Sequence, residues 1–192
     1  MKLMIATGNA GKLAEFRRLL APRNIQVVSA LEEKSFDMPE ETGSSFAENA
    51  WIKAHALYTA FGCPSLADDS GLEVEALNGA PGIYSARYAG TEATDAENNE
   101  KLLLALEGEE NRRARFVCTI CYIDRTGQAH YITESCNGQI ATEPRGDGGF
   151  GYDPLFLYDG RSFAELSGDE KDRVSHRSKA VRKFAASIGE WE

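Results

Sequence analysis

The chain opens on a short apolar run, Leu3-Met4-Ile5-Ala6. It passes at once into Thr7-Gly8-Asn9-Ala10-Gly11-Lys12 and then into a segment with Leu13, Phe16, Leu19 and Leu20 on one face. A buried strand, a polar glycine loop and an amphipathic helix in succession commit this part of the chain to alternating β and α elements. The helix is expected from Gly11 to Ala21, with Pro22 closing it. Ile25-Gln26-Val27-Val28 reads as a second strand. Ser45-Phe46-Ala47-Glu48 has the capping-box pattern. It opens a helix to about Phe61, stopped by Gly62 and Pro64, with Trp51, Ile52 and Leu57 assigned to the core. Ser65-Leu66-Ala67 reads as a short strand that ends in Asp68-Asp69 and a Ser70-Gly71 turn. Leu72 to Glu75 alternates like a half-buried strand, and Thr94-Asp95-Ala96-Glu97 opens a helix to Leu106. Two strand-like runs between Ala114 and Cys136 flank Asp124-Arg125-Thr126-Gly127, a hairpin signal. Leu155 to Tyr158 is a further strand, and a last helix is expected from about Ser175 to Ile188. The pattern predicts an α/β domain with a mixed sheet. A length of 192 residues fits one domain, or one domain with two lobes, and 42% hydrophobic residues suffice for its core.

Charge narrows the function. A net charge of −9 and a pI near 5.0 lack the basic footprint of a nucleic-acid binder. No apolar run approaches the about 18 residues that span a bilayer, and Met1-Lys2 leads directly into the first strand without a secretory leader. A soluble, cytoplasmic protein is the expectation. Cys118 and Cys121 form a C-x-x-C, but within a strand residues three apart point to opposite faces, which suits neither zinc nor a redox pair. With Cys63 and Cys136 they are read as reduced, structural thiols.

The candidate chemistry lies in five places. Asp68 and Asp69 are adjacent acids that call for a neutralising cation, and Glu40 and Glu41 lie upstream in Pro39-Glu40-Glu41-Thr42-Gly43. Carboxylates of this kind suit Mg²⁺, which keeps waters and shares its shell with phosphates. The loop from Thr7 to Lys12 has phosphate-loop geometry, although it lacks the Walker A spacing and also fits an ordinary strand-to-helix turn. Asn49 and Lys53 share a helix face that is either functional or solvated. Phe150-Gly151-Tyr152-Asp153 sits among glycines, where an aromatic ring either stands clear to stack on a base or plugs the core. Ser175-His176-Arg177, with Lys171 upstream, puts donors at a helix start, with Ser175 as its N-cap. His55 and His130 have no metal-like partners at suitable spacing and are read as structural or exposed.

Taken in order, Thr7-Gly8-Asn9-x-x-Lys12, Glu40-Glu41-Thr42-Gly43, Phe46-x-Glu48-Asn49-Ala50-x-x-Lys53-Ala54, Ala67-Asp68-Asp69-Ser70-Gly71-Leu72, Gly79 to Arg87, Gly149 to Pro154 and Ser175-His176-Arg177 closely resemble the Ham1/ITPase family, the inosine/xanthosine triphosphate pyrophosphatases. The resemblance runs from Leu3 to about Ile188. It implies an elongated mixed sheet with flanking helices, two lobes around a central cleft, and a homodimer. It implies Mg²⁺-dependent hydrolysis of ITP, dITP and XTP to the monophosphate and pyrophosphate, which cleanses the nucleotide pool. By matching motifs, Thr7, Gly8, Asn9, Ala10, Gly11 and Lys12 bind the triphosphate with help from Lys53. Glu40 and Asp69 hold the metal, Asp69 is the proton acceptor, Asp68 supports them, and Ser70 touches substrate. Phe150 stacks on the base within Gly151-Tyr152-Asp153, and Asp153, Lys171, His176 and Arg177 read its edge. Two other readings stand beside this one: a Maf-like pyrophosphatase for other modified nucleotides, and a catalytically silent nucleotide sensor.

Overall fold

The computed structural model describes residues 2–32 and 36–191, so Met1 lies outside the described residues. The elements are β1 (Lys2–Ala6), α1 (Ala10–Leu20), β2 (Gln26–Ser29), α2 (Phe46–Phe61), β3 (Ser65–Val74), α3 (Asp95–Ala105), β4 (Arg113–Ile123), β5 (Ala129–Ile140), β6 (Phe156–Tyr158), β7 (Arg161–Ser162), α4 (Gly168–Val174) and α5 (His176–Trp191). One seven-stranded sheet has the order β2-β1-β3-β4-β5-β6-β7. β1 pairs in parallel with β2 and β3, whereas β6 pairs antiparallel with β5 and β7, so the sheet is mixed as expected.

The acid pair is where sequence and structure differ most. Asp68, Asp69, Ser70 and Gly71 lie inside the ten-residue strand β3 and form no turn. A strand places successive side chains on opposite faces, and the packing follows that rule. Leu66 joins the cluster built on Phe16, Leu20 and Phe184, while Ala67 joins the one built on Ala50, Ala54 and Leu57. β4 repeats the division. Cys118, Ile120 and Tyr122 enter the first cluster, and Cys121 and Ile123 the second. The C-x-x-C is thus split between two cores, and all four cysteines are free thiols. Burial pushes the Cys121 thiol up to about 12, against a hydrogen bond from Tyr131, so it is inert at neutral pH.

By its contacts the chain forms two compact units. The first comprises Met1–Asp69, Cys118–Glu134 and Arg177–Glu192, and the second Ser70–Val117 and Ser135–His176. The first holds the two clusters just named. The second has its own core of Leu72, Leu102, Phe116, Leu155, Phe156 and Phe163 with their neighbours. Fully burying one such side chain is worth about 1.5–3 kcal/mol.

Several local signals act as read. Ser45 caps α2 by accepting the Glu48 N–H, although Glu48 turns its carboxylate to Ser44, which makes half a capping box. Thr94 and Glu97 form the complete box on α3. In the hairpin, Asp124 accepts the backbone N–H groups of Thr126 and Gln128 and the Thr126 hydroxyl, and its other oxygen lies 2.7 Å from His130 Nε2. His130 in turn stacks on Trp191. Trp51 departs from its core assignment: it is 40% exposed and stacks on the exposed His55 one turn further along α2. The short helix α4 was not anticipated. Ser175 is its C-cap.

Candidate active site

Parallel pairing of β1 with β3 runs Met4 to Ser65, Ile5 to Leu66 and Ala6 to Ala67. Thr7 therefore follows the carboxyl end of β1, where open α/β sheets collect ligands, and Asp68 is the first residue of β3 beyond its pairing with β1. Thr7 Oγ1 accepts the Asn9 N–H, and Asn9 caps α1 by accepting the Lys12 N–H at 2.9 Å. Gly8, Asn9 and Ala10 are exposed, and Gly11 and Lys12 half-buried, so the loop offers its backbone to solvent.

On the α1 face of β3, the Asp68 carboxylate is 1% exposed and meets two cations through Oδ2: Lys12 Nζ at 3.2 Å and Arg177 Nε at 3.2 Å. The same guanidinium donates from Nη1 to Glu15, so one arginine neutralises two buried acids. Burial works against the Arg177 charge, but Asp68 and Glu15 outweigh it and raise its pKa. Arg177, assigned above to the base edge, is thus seated among carboxylates.

Asp69 serves the opposite face. Its Oδ2 accepts from Asn49 Nδ2 at 3.1 Å, and its Oδ1 lies 3.7 Å from Lys53 Nζ. Asn49 is fully buried. Its Oδ1 accepts the Gly43 N–H at 2.8 Å, so one amide ties the Pro39–Gly43 segment to the catalytic candidate. Lys53 Nζ donates to Glu41 at 2.6 Å. Burial disfavours the Lys53 ammonium, yet Asp69, Glu41 and Asp68 together raise its pKa. The Asp69 carboxyl is also raised. Burial drives the shift, Lys53 opposes it, Glu41 adds to it, and Lys12 and the Asn49 amide oppose it further. A carboxylate displaced in this direction is better matched to proton acceptance near neutral pH than an ordinary aspartate.

Glu40, the sequence-derived metal candidate, is exposed, and it is Glu41 that reaches into this cluster. Among the described residues no three His, Cys, Asp or Glu side chains converge as a ready-made metal shell. The donor set nonetheless fits Mg²⁺. Carboxylate oxygen is its preferred ligand, one or two carboxylates are its usual protein share, and phosphate and water complete the octahedron.

The second unit gathers the aromatic loop. Phe150 is half-buried, and Lys171 Nζ stands 4.7 Å from its ring centre. Asp153 Oδ2 accepts both the Phe150 N–H at 3.0 Å and Lys171 Nζ at 2.6 Å, with Asp153 and Lys171 themselves buried. Gly151 is half-buried. Tyr152 points inward instead: it belongs to the core, and its hydroxyl donates to the Ser85 carbonyl at 2.8 Å. His176 is buried and stacks on Phe116 at 4.7 Å. Ser70 is half-buried on β3. Sequence reasoning passed over Glu15 and left Glu41 and Asn49 without assigned roles. The signal for Asn49 and Glu15 was their place on the inner faces of α2 and α1, one turn from Lys53 and Lys12 respectively.

Comparison with known proteins places the chain in a family. The Ham1 family model matches residues 3–187. A dITP/XTP pyrophosphatase of Exiguobacterium sp. is 48% identical over 190 residues, covering 98% of this chain and 97% of its own. A protein of the same name from Desulforamulus reducens is 50% identical over 187 residues, covering 95% and 93%. The solved structure of a HAM1 protein from Coxiella burnetii superposes with a TM-score of 0.90 at 42% identity, covering 99% of both chains. With a match this complete in sequence, and with the buried acid pair held between lysines and an arginine, the chain belongs to the Ham1 family.

Proposed function

We propose that this protein hydrolyses dITP, ITP and XTP to the nucleoside monophosphate and pyrophosphate, and so removes deaminated purines from the nucleotide pool. One observation carries the reading: a buried, raised Asp69 stands beside Lys53 and Glu41. It does so in a chain about half identical to dITP/XTP pyrophosphatases over nearly its whole length. A silent sensor has no use for a buried carboxylate kept in a destabilised charge state. The relatives' names give a Maf-like activity no support.

In this reading the loop from Thr7 to Lys12, exposed at Gly8, Asn9 and Ala10, takes the triphosphate, with Lys53 assisting. Mg²⁺, held by Asp69 with Glu40 or Glu41, would supply charge neutralisation on the phosphates and acidify water. Asn49 fixes the plane of the Asp69 carboxylate through Oδ2. Asp69 then orients the attacking water toward the α-phosphorus and accepts its proton, while Asp68 stays ion-paired with Lys12 and Arg177 as the electrostatic support of the loop. The Phe150 ring offers a stacking surface. Lys171, His176 and Arg177 supply donors, which accept a 6-carbonyl and leave a 6-amino group mismatched. Such mismatches give discrimination of about 10⁴ or more. Arg177 has a second duty in neutralising Asp68 and Glu15.

The reading also carries a homodimer and a cytoplasmic setting. Among the described residues no helix is long and apolar enough to cross a membrane. Sedimentation at twice the 21.0 kDa chain mass tests the dimer. The deciding experiment is a panel of ITP, dITP, XTP, ATP, GTP and a modified pyrimidine triphosphate, with products resolved. Pyrophosphate should appear from the first three only, and only with Mg²⁺. Orthophosphate as first product, or equal turnover of ATP, overturns the reading.

A further inference from the structure

The loop that presents Phe150 is gripped at consecutive residues. At Phe150 the backbone N–H is taken by Asp153. At Gly151 both backbone groups are taken by α3: the N–H donates to Asp95 Oδ2 at 2.6 Å, and the carbonyl accepts from Asn99 Nδ2 at 2.8 Å. Asp95 and Asn99 lie four residues apart on one face of the helix. The Asn99 amide also donates to the Asp95 carbonyl at 2.8 Å, so its two hydrogens bridge helix and loop. Tyr152 is anchored in turn by the Ser85 carbonyl. The loop backbone has been shaped for this hold. Gly151 has φ 61°, in the left-handed region, and a Cβ on Gly149 would stand 2.0 Å from Asp153 Oδ2.

The helix does not need this arrangement for itself. Thr94 and Glu97 already close the N-terminus of α3 with a complete capping box. Nor does the core need it, because Phe150 is only half-buried. What the grip fixes is the backbone that carries a partly exposed ring. We propose that Asp95 and Asn99 are positioning residues for base recognition: by clamping Gly151 from α3 they hold the Phe150 ring ready to stack. The proposal rests on the reading of Phe150 as a purine platform. A ring held in its bound direction has little freedom to lose on binding, which raises affinity without new contacts.

The test uses the full-length protein with Asp95→Ala, Asn99→Ala and Asp95→Asn, each also in a Phe150→Ala background. The two alanine variants should raise KM for dITP about tenfold, with kcat held within about twofold. Asp95→Asn keeps an oxygen that can accept the Gly151 N–H and should stay near the parent. Inhibition by inorganic tripolyphosphate, which has no base, should be the same in all. Hydrogen exchange at the Gly151 amide should quicken in Asp95→Ala and not in Asp95→Asn, a readout independent of turnover. With Phe150 already truncated, neither alanine variant should add to KM. A further rise of the same size in that background, or a matching loss of tripolyphosphate inhibition, overturns the clamp. If Phe150→Ala alone leaves KM for dITP unchanged, the stacking platform itself is lost. That failure is distinct from a clamp that fails while stacking holds.

Discussion

Asp69 carries its charge against its surroundings. Burial raises its pKa, Lys53 resists, and Glu41 adds to the rise. A carboxyl raised on folding binds its proton more tightly in the native state, so its contribution to stability is full below the unfolded value of about 3.9 and is lost as pH climbs through the native value. Without metal, Asp69→Asn should therefore raise Tm at pH 7–8, with the gain shrinking as pH falls toward 4. Melts across that range in EDTA measure it, and a gain that grows on acidification contradicts the assignment. The same variant should lose turnover by about 10² or more, as expected when a proton acceptor is removed. Gly8 separates fold from function in another way. Its φ is not positive, and an added Cβ would meet only Leu31 Cδ1 at 3.8 Å, an ordinary contact. Gly8→Ala should leave Tm equal or slightly higher, while KM rises for every triphosphate whatever the base. An unchanged KM would remove the loop from phosphate binding.

Among the elements, the hairpin between β4 and β5 offers the sharpest prediction. Asp124 serves Thr126, Gln128 and His130 at once, and its pKa is lowered, first by the His130 hydrogen bond and further by Thr126 and Gln128 against some desolvation. A lowered carboxyl stabilises above its unfolded value and loses that effect as pH falls through the native one. Asp124→Ala should thus cost about 2 kcal/mol or more at pH 7. The difference from the parent in urea midpoint should narrow steadily below about pH 4. This turn was legible in sequence because Asp-Arg-Thr-Gly between two apolar runs is a local signal. So were the opposite faces of Cys118 and Cys121, and the caps at Ser45 and Thr94. The two ends of the central strand were legible as well, but not its continuity through Asp68–Gly71, because Asp-Asp-Ser-Gly reads as a turn by propensity. What keeps it in β3 are cations delivered by Lys12, Lys53 and Arg177, which lie far away along the chain. Trp51 misled for the converse reason: an apolar side chain on a helix says nothing about which face the helix buries. The site was legible as residue types in order, whereas the partners of Arg177, the inward turn of Tyr152 and the pairing of Glu41 with Lys53 depend on tertiary geometry.

At the scale of the molecule, neither compact unit is a continuous stretch. The backbone passes from one to the other four times, and three of those passages fall within β3, β4 and β5. Shared strands argue for one cooperative transition although the chain exceeds the size at which two-state unfolding is the rule. Both tryptophans, Trp51 and Trp191, belong to the first unit, so fluorescence reports on that unit while far-UV circular dichroism reports on both. The two should trace the same urea curve. Separate midpoints would show independently unfolding units.

Asp68 has a consequence for biosynthesis. Its carboxylate, and that of Glu15, are neutralised in part by Arg177, which the ribosome adds more than a hundred residues after Asp68. Until then a nascent chain lacks the guanidinium shared by both acids, and burying them is costlier. The order of synthesis thus favours a late closure of this region. A prematurely terminated product should stay open to proteolysis and not linger as a half-formed enzyme that binds nucleotides it cannot cleave.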